Sequence, residues 1–160
     1  MEQKVKVTVT GIHRHPGVSG EETTRNVSEG MLRVERNGVY LVEYEEYLDG
    51  EDADGMFRGG VATYNMVTIA RDFMEIVRKG SVESVLRFCA GESHEAEYKT
   101  GFGVMRSLVK TSRYQSYTLE KGRRVIAEAF YTVSMNGLEM SETTMTIDIA
   151  PVEFSHGKGL

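Results

Sequence analysis

The amino-acid sequence predicts an all-β fold, a closed antiparallel barrel of roughly eight to ten strands. Three features of the chain indicate it. Apolar and polar residues alternate over long stretches, with the period expected of half-buried strands. Asn-Gly pairs, which favour two-residue hairpin turns, follow two of these stretches. Turn-forming residues recur about every ten residues, a spacing typical of antiparallel sandwiches and barrels.

The N-terminal part of the chain predicts a strand and then a hairpin. Valines alternate with polar residues over residues 5–9 and predict a half-buried strand. Segments 31–36 and 39–48 flank Asn37-Gly38, so we expect two strands joined by a tight turn. One face of the second strand carries Tyr40, Val42 and Tyr44.

The middle of the chain predicts further short strands at residues 61–69, 73–79, 82–89, 95–100, 103–112 and 114–119. Residues 69–89 also fit the 3.6-residue period of a helix. Gly80 in the middle of that stretch disfavours a helix, and a turn at Lys79-Gly80 accounts for it, so we expect strands. Lys121-Gly122 predicts another reversal.

The longest alternation covers residues 124–135 and places the small residues Ala127 and Ala129 on the inward face. Asn136-Gly137 and a second strand at 138–149 complete a hairpin. The two parts of this second strand are out of phase, so we expect a bulge near residues 142–144. We expect a single domain over residues 1–150 and a frayed tail at 151–160.

Composition excludes several classes of protein. The 160 residues are 40% hydrophobic and 27% charged, which is ordinary for a globular chain. No apolar run is long enough for a membrane span, and residues 1–5 lack the apolar core of a signal peptide. The lone Cys89 fits a reducing compartment, so we expect a cytoplasmic protein. A net charge of −5 disfavours a dedicated nucleic-acid binder.

A set of short motifs resembles a known family. They are Tyr40 to Tyr47 (YLVEYEEY), Arg78-Lys79-Gly80, Phe88-Cys89-Ala90-Gly91, Tyr98 to Gly103 (YKTGFG), Thr111, Gly122, and Ser141 with Thr146-Ile147. The chain resembles a family of small uncharacterised bacterial proteins catalogued as a domain of unknown function, over roughly residues 4–149. The resemblance implies a closed barrel similar to lipocalins and the calycin group. It implies no activity and no site residues.

A barrel of this size has either a filled core or room for one small ligand. We therefore expect a non-enzymatic module that binds a hydrophobic or amphipathic molecule, without a cofactor. Tyrosine combines an apolar ring with a polar tip, and barrel mouths are concave, which suggests a set of lining residues. They are Tyr40, Tyr44, Tyr131 and Met135.

The alternative is a filled barrel whose surface binds a protein partner or a second copy of the chain. Residues 99–124 carry seven basic side chains and one acidic one, Glu120. This segment could bind phosphates or an anionic head group, or pair with an acidic loop of a second subunit, or simply form a solvated outer face. The proposed interaction patch is Arg106, Lys110 and Arg113.

Other candidate sites have plainer explanations. The seven acids of residues 43–54 do not match the calcium-binding spacing of an EF-hand, which favours a solvated loop over a metal site. His13 and His15 lack further metal ligands at matching spacing, and Pro16 suggests a loop. Cys89 is expected to be a small buried apolar side chain. Gly101 and Gly103 are expected to bend a strand.

The face of the sheet from which a side chain projects decides two further predictions, an outer apolar surface and an inward acid–base pair. Ile126 and Phe130 alternate with the inward alanines, so they lie on the outer face, as an interface or beneath a covering segment. An enzyme would need an acid and a base that point inward together. Glu43 and His94 are the candidates for that pair.

Overall fold

The computed structural model describes residues 2–47, 62–80 and 82–152, which form one sheet of ten antiparallel strands. The strands are β1 (Glu2–Arg14), β2 (Glu22–Val34), β3 (Tyr40–Tyr47), β4 (Ala62–Ile69), β5 (Phe73–Gly80), β6 (Ser84–Cys89), β7 (Ser93–Thr100), β8 (Gly103–Leu119), β9 (Arg124–Met135) and β10 (Leu138–Pro151). The predicted all-β class and strand number are confirmed, and residues 69–89 form strands rather than a helix. The described residues contain no helix capable of crossing a membrane.

The sheet closes almost completely into a barrel. Apart from β6 and β7, each strand pairs with its neighbours along the chain, and β1 pairs with β10, which gives the order β6-β5-β4-β3-β2-β1-β10-β9-β8-β7. The last contact is a single bridge, in which the amides of Glu83 and Lys99 donate to each other's carbonyls at 3.0 and 2.9 Å. A turn from Cys89 to Glu92 joins the other ends of β6 and β7. Between these two points no ladder between the strands is found in the described chain, and we call this gap the β6–β7 slot.

Both Asn-Gly turns form as predicted. Asn37 and Gly38 have φ of 69° and 75°, and Asn136 and Gly137 have φ of 53° and 79°. Positive φ at both central positions is what a right-twisted hairpin needs, and Asn and Gly adopt it at least cost. The turns at Gly80 and Gly122 also lie where the sequence predicts them.

One half of the barrel interior is apolar and closely packed. Val42, Val67 and Phe88 are fully buried there, together with valines and isoleucines from β1, β9 and β10. The β4–β5 loop closes this end, because the carbonyl of Ala70 accepts hydrogen bonds from Tyr114 Oη at 2.9 Å and from a serine of β8 at 3.2 Å. This end of the barrel is therefore stabilised by apolar burial and by hydrogen bonds that join β8 to the β4–β5 loop.

Three expectations about the strands are corrected. The segments 103–112 and 114–119 are one strand, β8, with a register shift between Thr111 and Arg113. The bulge in β10 lies between Glu139 and Ser141 rather than at residues 142–144. β2 begins at Glu22, nine residues before the predicted start at Met31. The β10 ladder extends to Pro151, and the expected tail lies outside the described residues from 153 onward.

Candidate functional site

The other half of the barrel interior is polar. A row of directly paired residues crosses four strands there: Tyr44 of β3 faces Asn65 of β4, Asn65 faces Arg78 of β5, and Arg78 faces Ser84 of β6. Partners in an antiparallel pair project from the same face of the sheet. Since Tyr44 belongs to the buried core, the whole row faces inward. We call it the polar row.

Glu46 lies two residues beyond Tyr44 and faces inward as well. Its Oε1 accepts hydrogen bonds from Asn65 Nδ2 and from Arg78 Nη2, both at 3.2 Å. The Glu46 and Arg78 side chains are each 27% exposed. An ion pair in this position loses much of its hydration, and its Coulomb attraction only partly offsets that loss. The pair is therefore weak evidence for a stabilising role.

The opposite wall carries a second polar set. Thr111 of β8 faces Tyr131 of β9, Tyr131 faces Thr143 of β10, and Thr143 faces His13 of β1. A hydrogen bond links His13 Nδ1 and Thr143 Oγ1 at 3.1 Å, and another links His13 Nε2 and the hydroxyl of Thr24 at 3.2 Å. The Tyr131 ring packs on Phe88 with centroids 4.7 Å apart, so it marks the boundary between the polar and apolar halves.

Three inward tyrosines keep their phenols protonated over a wide pH range. Burial raises the pKa of Tyr44 to about 12, and Glu46 adds to this while Arg78 opposes it. Burial is also the main reason that the pKa values of Tyr98 and Tyr131 are raised. Arg78 lowers all three values slightly, so its charge acts on phenols from both walls of the barrel.

Three buried hydroxyls in this region have no hydrogen-bond partner among the described residues. They are Ser84 Oγ, Ser107 Oγ and Thr111 Oγ1. The three residues are 6%, 8% and 1% exposed. Leaving a buried hydroxyl without a partner costs about 1–3 kcal/mol. All three belong to β6 and β8, the strands on either side of β7, so the unmet hydrogen-bonding capacity is concentrated near the β6–β7 slot.

A cleft connects this region with the outside of the barrel. It has a volume of about 610 Å³ and is lined by Val77, Arg78, Lys79, Glu83, Ser84, Val85, Glu95, Glu97 and Lys99. These residues come from β5, from the two sides of the slot and from the bridge that ends it. Of the two inward residues among them, Arg78 has a side chain that is 27% exposed, whereas the Ser84 hydroxyl is buried. The cleft therefore brings solvent to Arg78, and its size is in the range of small-molecule sites.

The structure brings three of the four predicted lining residues to the polar end. Tyr44 and Tyr131 face inward there, and Met135 ends β9 on the same alternating face. Tyr40 lies at the opposite end, paired with Ile69, where it lines a separate cleft of about 290 Å³. The sequence correctly predicted that Tyr40 and Tyr44 share one face of β3. Alternation alone does not show that the two residues lie near opposite ends of the barrel.

The predicted basic patch lies on the outer face of β8. Arg106 donates from Nε to Glu97 at 3.1 Å and is 75% exposed. The Arg113 guanidinium lies 4.6 Å from the centroid of the Phe130 ring. Lys110 projects from the same face between them, and Arg124 forms an ion pair with Asp148. These basic side chains thus lie on the outer face of the barrel, and Arg106, Arg113 and Arg124 already contact an acidic or aromatic side chain.

Glu43 and His94 do not form an inward acid–base pair. Glu43 lies between the inward residues Val42 and Tyr44, so it projects from the outer face. His94 pairs in register with the buried Val109 and makes a 3.2 Å contact with Glu92. The remainder of the acidic run, from residue 48 to 54, lies outside the described residues. No group of three possible metal ligands is found in the described part of the chain.

The remaining candidates have structural roles. His13 lies within β1 rather than in a loop, and Nδ1 of His15 contacts the Met140 carbonyl at 3.2 Å. Cys89 is only partly buried, and loss of hydration is the main reason that its thiol pKa is raised, which disfavours a nucleophile.

Two further predictions concern residues on or near the outer surface. Gly101 and Phe102 form a hairpin turn rather than a bend within a strand. Ile126 is 5% exposed on the outer face of β9. It is therefore covered within the single chain, while its neighbour on that face, Phe130, packs under Arg113.

The polar row itself was missed by the sequence analysis. Glu46, Asn65, Arg78 and Ser84 each lie in the inward alternation of a strand that also has apolar inward residues, such as Val42, Val67, Ile76 and Phe88. Extending each alternation to the end of its strand would have placed all four inside the barrel. A charged or amide side chain at such a position does not match the expected pattern, and this mismatch was the available signal.

The family of the chain follows from comparison with known proteins. A family model described as a domain of unknown function, DUF1934, matches residues 7–147. The chain belongs to this family. The DUF1934 match confirms the predicted resemblance to small uncharacterised bacterial β-barrel proteins, while the closer likeness to lipocalins stays a prediction.

A curated relative of this DUF1934 chain is the uncharacterised β-barrel protein YwiB of Bacillus subtilis strain 168, which is 32% identical over 99 residues. That match covers 61% of this chain and 62% of the relative, less than two thirds of its length. The crystal structure of the ywiB protein from Bacillus subtilis aligns with a TM-score of 0.77 at 21% identity, over 95% of this chain and 94% of that one. The structural match shows a shared fold.

Proposed function

We propose that this protein is a non-enzymatic, cytoplasmic binding protein that holds one small amphipathic molecule in the polar half of its barrel. The observation that carries the proposal is the group of three buried hydroxyls that have no hydrogen-bond partner among the described residues, one of which, Ser84, directly faces the inward Arg78. A barrel that served only as a rigid body would be more stable with apolar side chains at these positions. A bound polar group would supply the missing hydrogen-bond partners.

The proposed site accommodates both parts of an amphipathic molecule. Arg78 and Ser84 provide polar contacts at the inner end of the cleft. Val77 and Val85, which pair across β5 and β6 and project from the outer face of the sheet, provide an apolar wall outside the slot, and Val85 is 50% exposed. Because the opposite half of the interior is closely packed, the apolar part of the molecule would lie along the slot rather than deep in the core.

Native mass spectrometry of the protein purified gently from its own host tests this proposal. We expect a population that carries an adduct of discrete mass. A Val85→Glu variant places a charge on the apolar wall and should lose most of that adduct. Val34→Glu is the matched control, since Val34 is 54% exposed at the end of β2, away from the slot. An adduct-free wild-type protein, or equal adduct on both variants, would refute the proposal.

A second candidate function is interaction through the outer face of β8, with a second copy or another protein. The observation that favours it is a line of exposed side chains in which Val104 (57%) and Leu108 (40%) alternate with Arg106 and Lys110. Apolar side chains between cations on a sheet face are common at protein interfaces. The predicted patch of Arg106, Lys110 and Arg113 belongs to this face.

Sedimentation velocity distinguishes this second function from the first. If β8 forms a dimer interface, the Arg106→Glu, Lys110→Glu double variant should sediment as a monomer at concentrations where the wild-type protein is a dimer. Binding of a ligand in the slot should be unchanged. If both proteins have the same hydrodynamic size and capture the same partners, the interaction hypothesis is wrong.

A further inference from the structure

We infer that the molecule bound in the slot has a head group with several acceptor oxygens and a negative charge, a carboxylate or a phosphate, and that Arg78 receives it in place of the Glu46 carboxylate. This inference rests on the proposed function, because it identifies the chemistry of the ligand at the same site. It concerns the part of the ligand that reaches the polar row.

The balance of donors and acceptors supports an acceptor-rich head group. Arg78 has five N–H donors and donates through Nη2 to Glu46. Ser84, its direct neighbour across the β5–β6 pair, has a buried hydroxyl without a partner in the described chain, and Ser107 has another. The inward tyrosines Tyr44 and Tyr98 are protonated donors at neutral pH, since the ordinary pKa of a tyrosine is 10.0 and burial raises it further in both. Among the described residues, the inward carboxylate of Glu46 accepts from Arg78 and from Asn65.

Glu46 shows how an oxyanion would be held. One oxygen of its carboxylate accepts from both Asn65 Nδ2 and Arg78 Nη2 at 3.2 Å. A carboxylate or phosphate that enters through the slot can use the same two donors and, in addition, the Ser84 hydroxyl. Glu46 is 27% exposed, so its displaced carboxylate can be hydrated. The ligand and Glu46 would therefore compete for Arg78.

The rim of the cleft does not explain such a preference. It carries Lys79 and Lys99 but also Glu83, Glu95 and Glu97, so the two signs nearly cancel. Selectivity for an anion has to come from the interior, where a charge-assisted hydrogen bond is strengthened by partial burial. This places the specificity on Arg78 rather than on the exposed lysines.

Calorimetric titration with three probes that share an alkyl chain tests the inference. The probes are decanoate, decyl phosphate and neutral 1-decanol. We expect one or both anions to bind at least about tenfold more tightly than decanol, the factor expected of a charge-assisted hydrogen bond. The comparison of decanoate with decyl phosphate identifies which of the two head groups fits.

Four variants test whether Arg78 is responsible for the preference for an anionic head group. Arg78→Met should lower the affinity for the preferred anion at least about tenfold and leave decanol binding unchanged. Glu46→Gln removes the competitor and should raise the affinity for the anion. Arg33→Met is the matched control, because it also removes an ion-paired arginine, but an exposed one near the end of β2 and away from the cleft, and should bind as the wild-type protein does. The double variant Glu46→Gln, Arg78→Met removes both charges of the ion pair together, so it provides the test if Arg78→Met alone does not fold.

The outcomes separate this inference from the proposed function. Equal binding of decanol and both anions, unchanged in the Arg78 and Glu46 variants, would overturn the head-group assignment and leave the binding function in place. If none of the three probes binds and the protein from its host carries no adduct, both are overturned. A lower anion affinity in Glu46→Gln would overturn the proposed competition, since Glu46 would then be a ligand-binding residue.

Discussion

Tyr44 predicts a specific loss of stability at alkaline pH. Its side chain is buried in the core at 6% exposure, and burial raises its pKa to about 12 from an ordinary value of 10.0. Below pH 10 the phenol is protonated in both the folded and the unfolded state, so its full contribution to stability is present. Between pH 10 and 12 the unfolded chain releases the proton while the folded protein keeps it, and the free energy of unfolding falls.

The size of this loss of stability follows from the shift in the pKa of Tyr44. Each pKa unit corresponds to about 1.4 kcal/mol, so a shift of about two units is worth about 2.7 kcal/mol at full development. Tyr44→Phe removes the titrating group and should remove this part of the pH dependence. Because the folded-state phenol is half ionised at pH of about 12, the difference in unfolding free energy between the wild-type protein and Tyr44→Phe should change by about 2.3 kcal/mol, in favour of the variant, between pH of about 9 and about 12.

Urea unfolding followed by circular dichroism at several pH values measures this difference. Using the difference cancels the contributions of Tyr114 and Tyr131, whose pKa values burial also raises. Tyr117→Phe is the control, because Tyr117 is 42% exposed on the outer face. Parallel curves for the wild-type protein and Tyr44→Phe across this range would show that the Tyr44 phenol is not held protonated by the fold, and the reasoning would fail.

Three other substitutions test the packing of the two halves. Phe88→Ala should cost about 3–5 kcal/mol in urea unfolding, because Phe88 is fully buried, whereas Phe102→Ala at the exposed hairpin tip should change stability by less than about 0.5 kcal/mol. Gly30→Ala should destabilise by about 1–3 kcal/mol, because a Cβ there would lie 2.5 Å from a carbonyl oxygen of β3; an unchanged unfolding midpoint would contradict this. Thr111→Val should raise the unfolding free energy by about 1 kcal/mol or more, since it replaces a buried hydroxyl that has no partner among the described residues with a methyl group, and a destabilised variant would indicate a hydrogen bond at Thr111.

The sequence predicted the apolar half of the barrel well and the polar half poorly. Strands β4, β5 and β9 have apolar inward residues such as Val67, Ile76 and Ala127, and their alternation identifies both the strand and its inner face. The first part of β2 was missed because its inward positions hold Thr24, Asn26 and Ser28. A strand with polar residues on both faces shows no hydrophobic period.

The misplaced bulge in β10 has the same cause. Leu138 and Met145 are out of phase, which correctly indicates a register change between them, and the ladder shows it at Met140. It was expected further along because Ser141 and Thr143 are polar and did not suggest inward positions. Thr143 is 3% exposed and faces Tyr131 inside the barrel. Closure by β1 and β10, with the slot between β6 and β7, depends on contacts between distant residues and could not be predicted from local patterns.

The two halves of the interior make opposite contributions to stability, and this difference is the basis of the proposed function. Removal of apolar groups at Phe88 or Val67 should cost free energy, as in any core. Removal of polar groups at Ser84 or Thr111 should release free energy, because these hydroxyls lost their hydration on folding and gained no partner among the described residues. A chain under selection for stability alone would replace such groups with apolar ones. Their concentration beside Arg78 and the β6–β7 slot is accounted for if the polar half is completed by a ligand, and the head group of that ligand is the part the calorimetric titrations would identify.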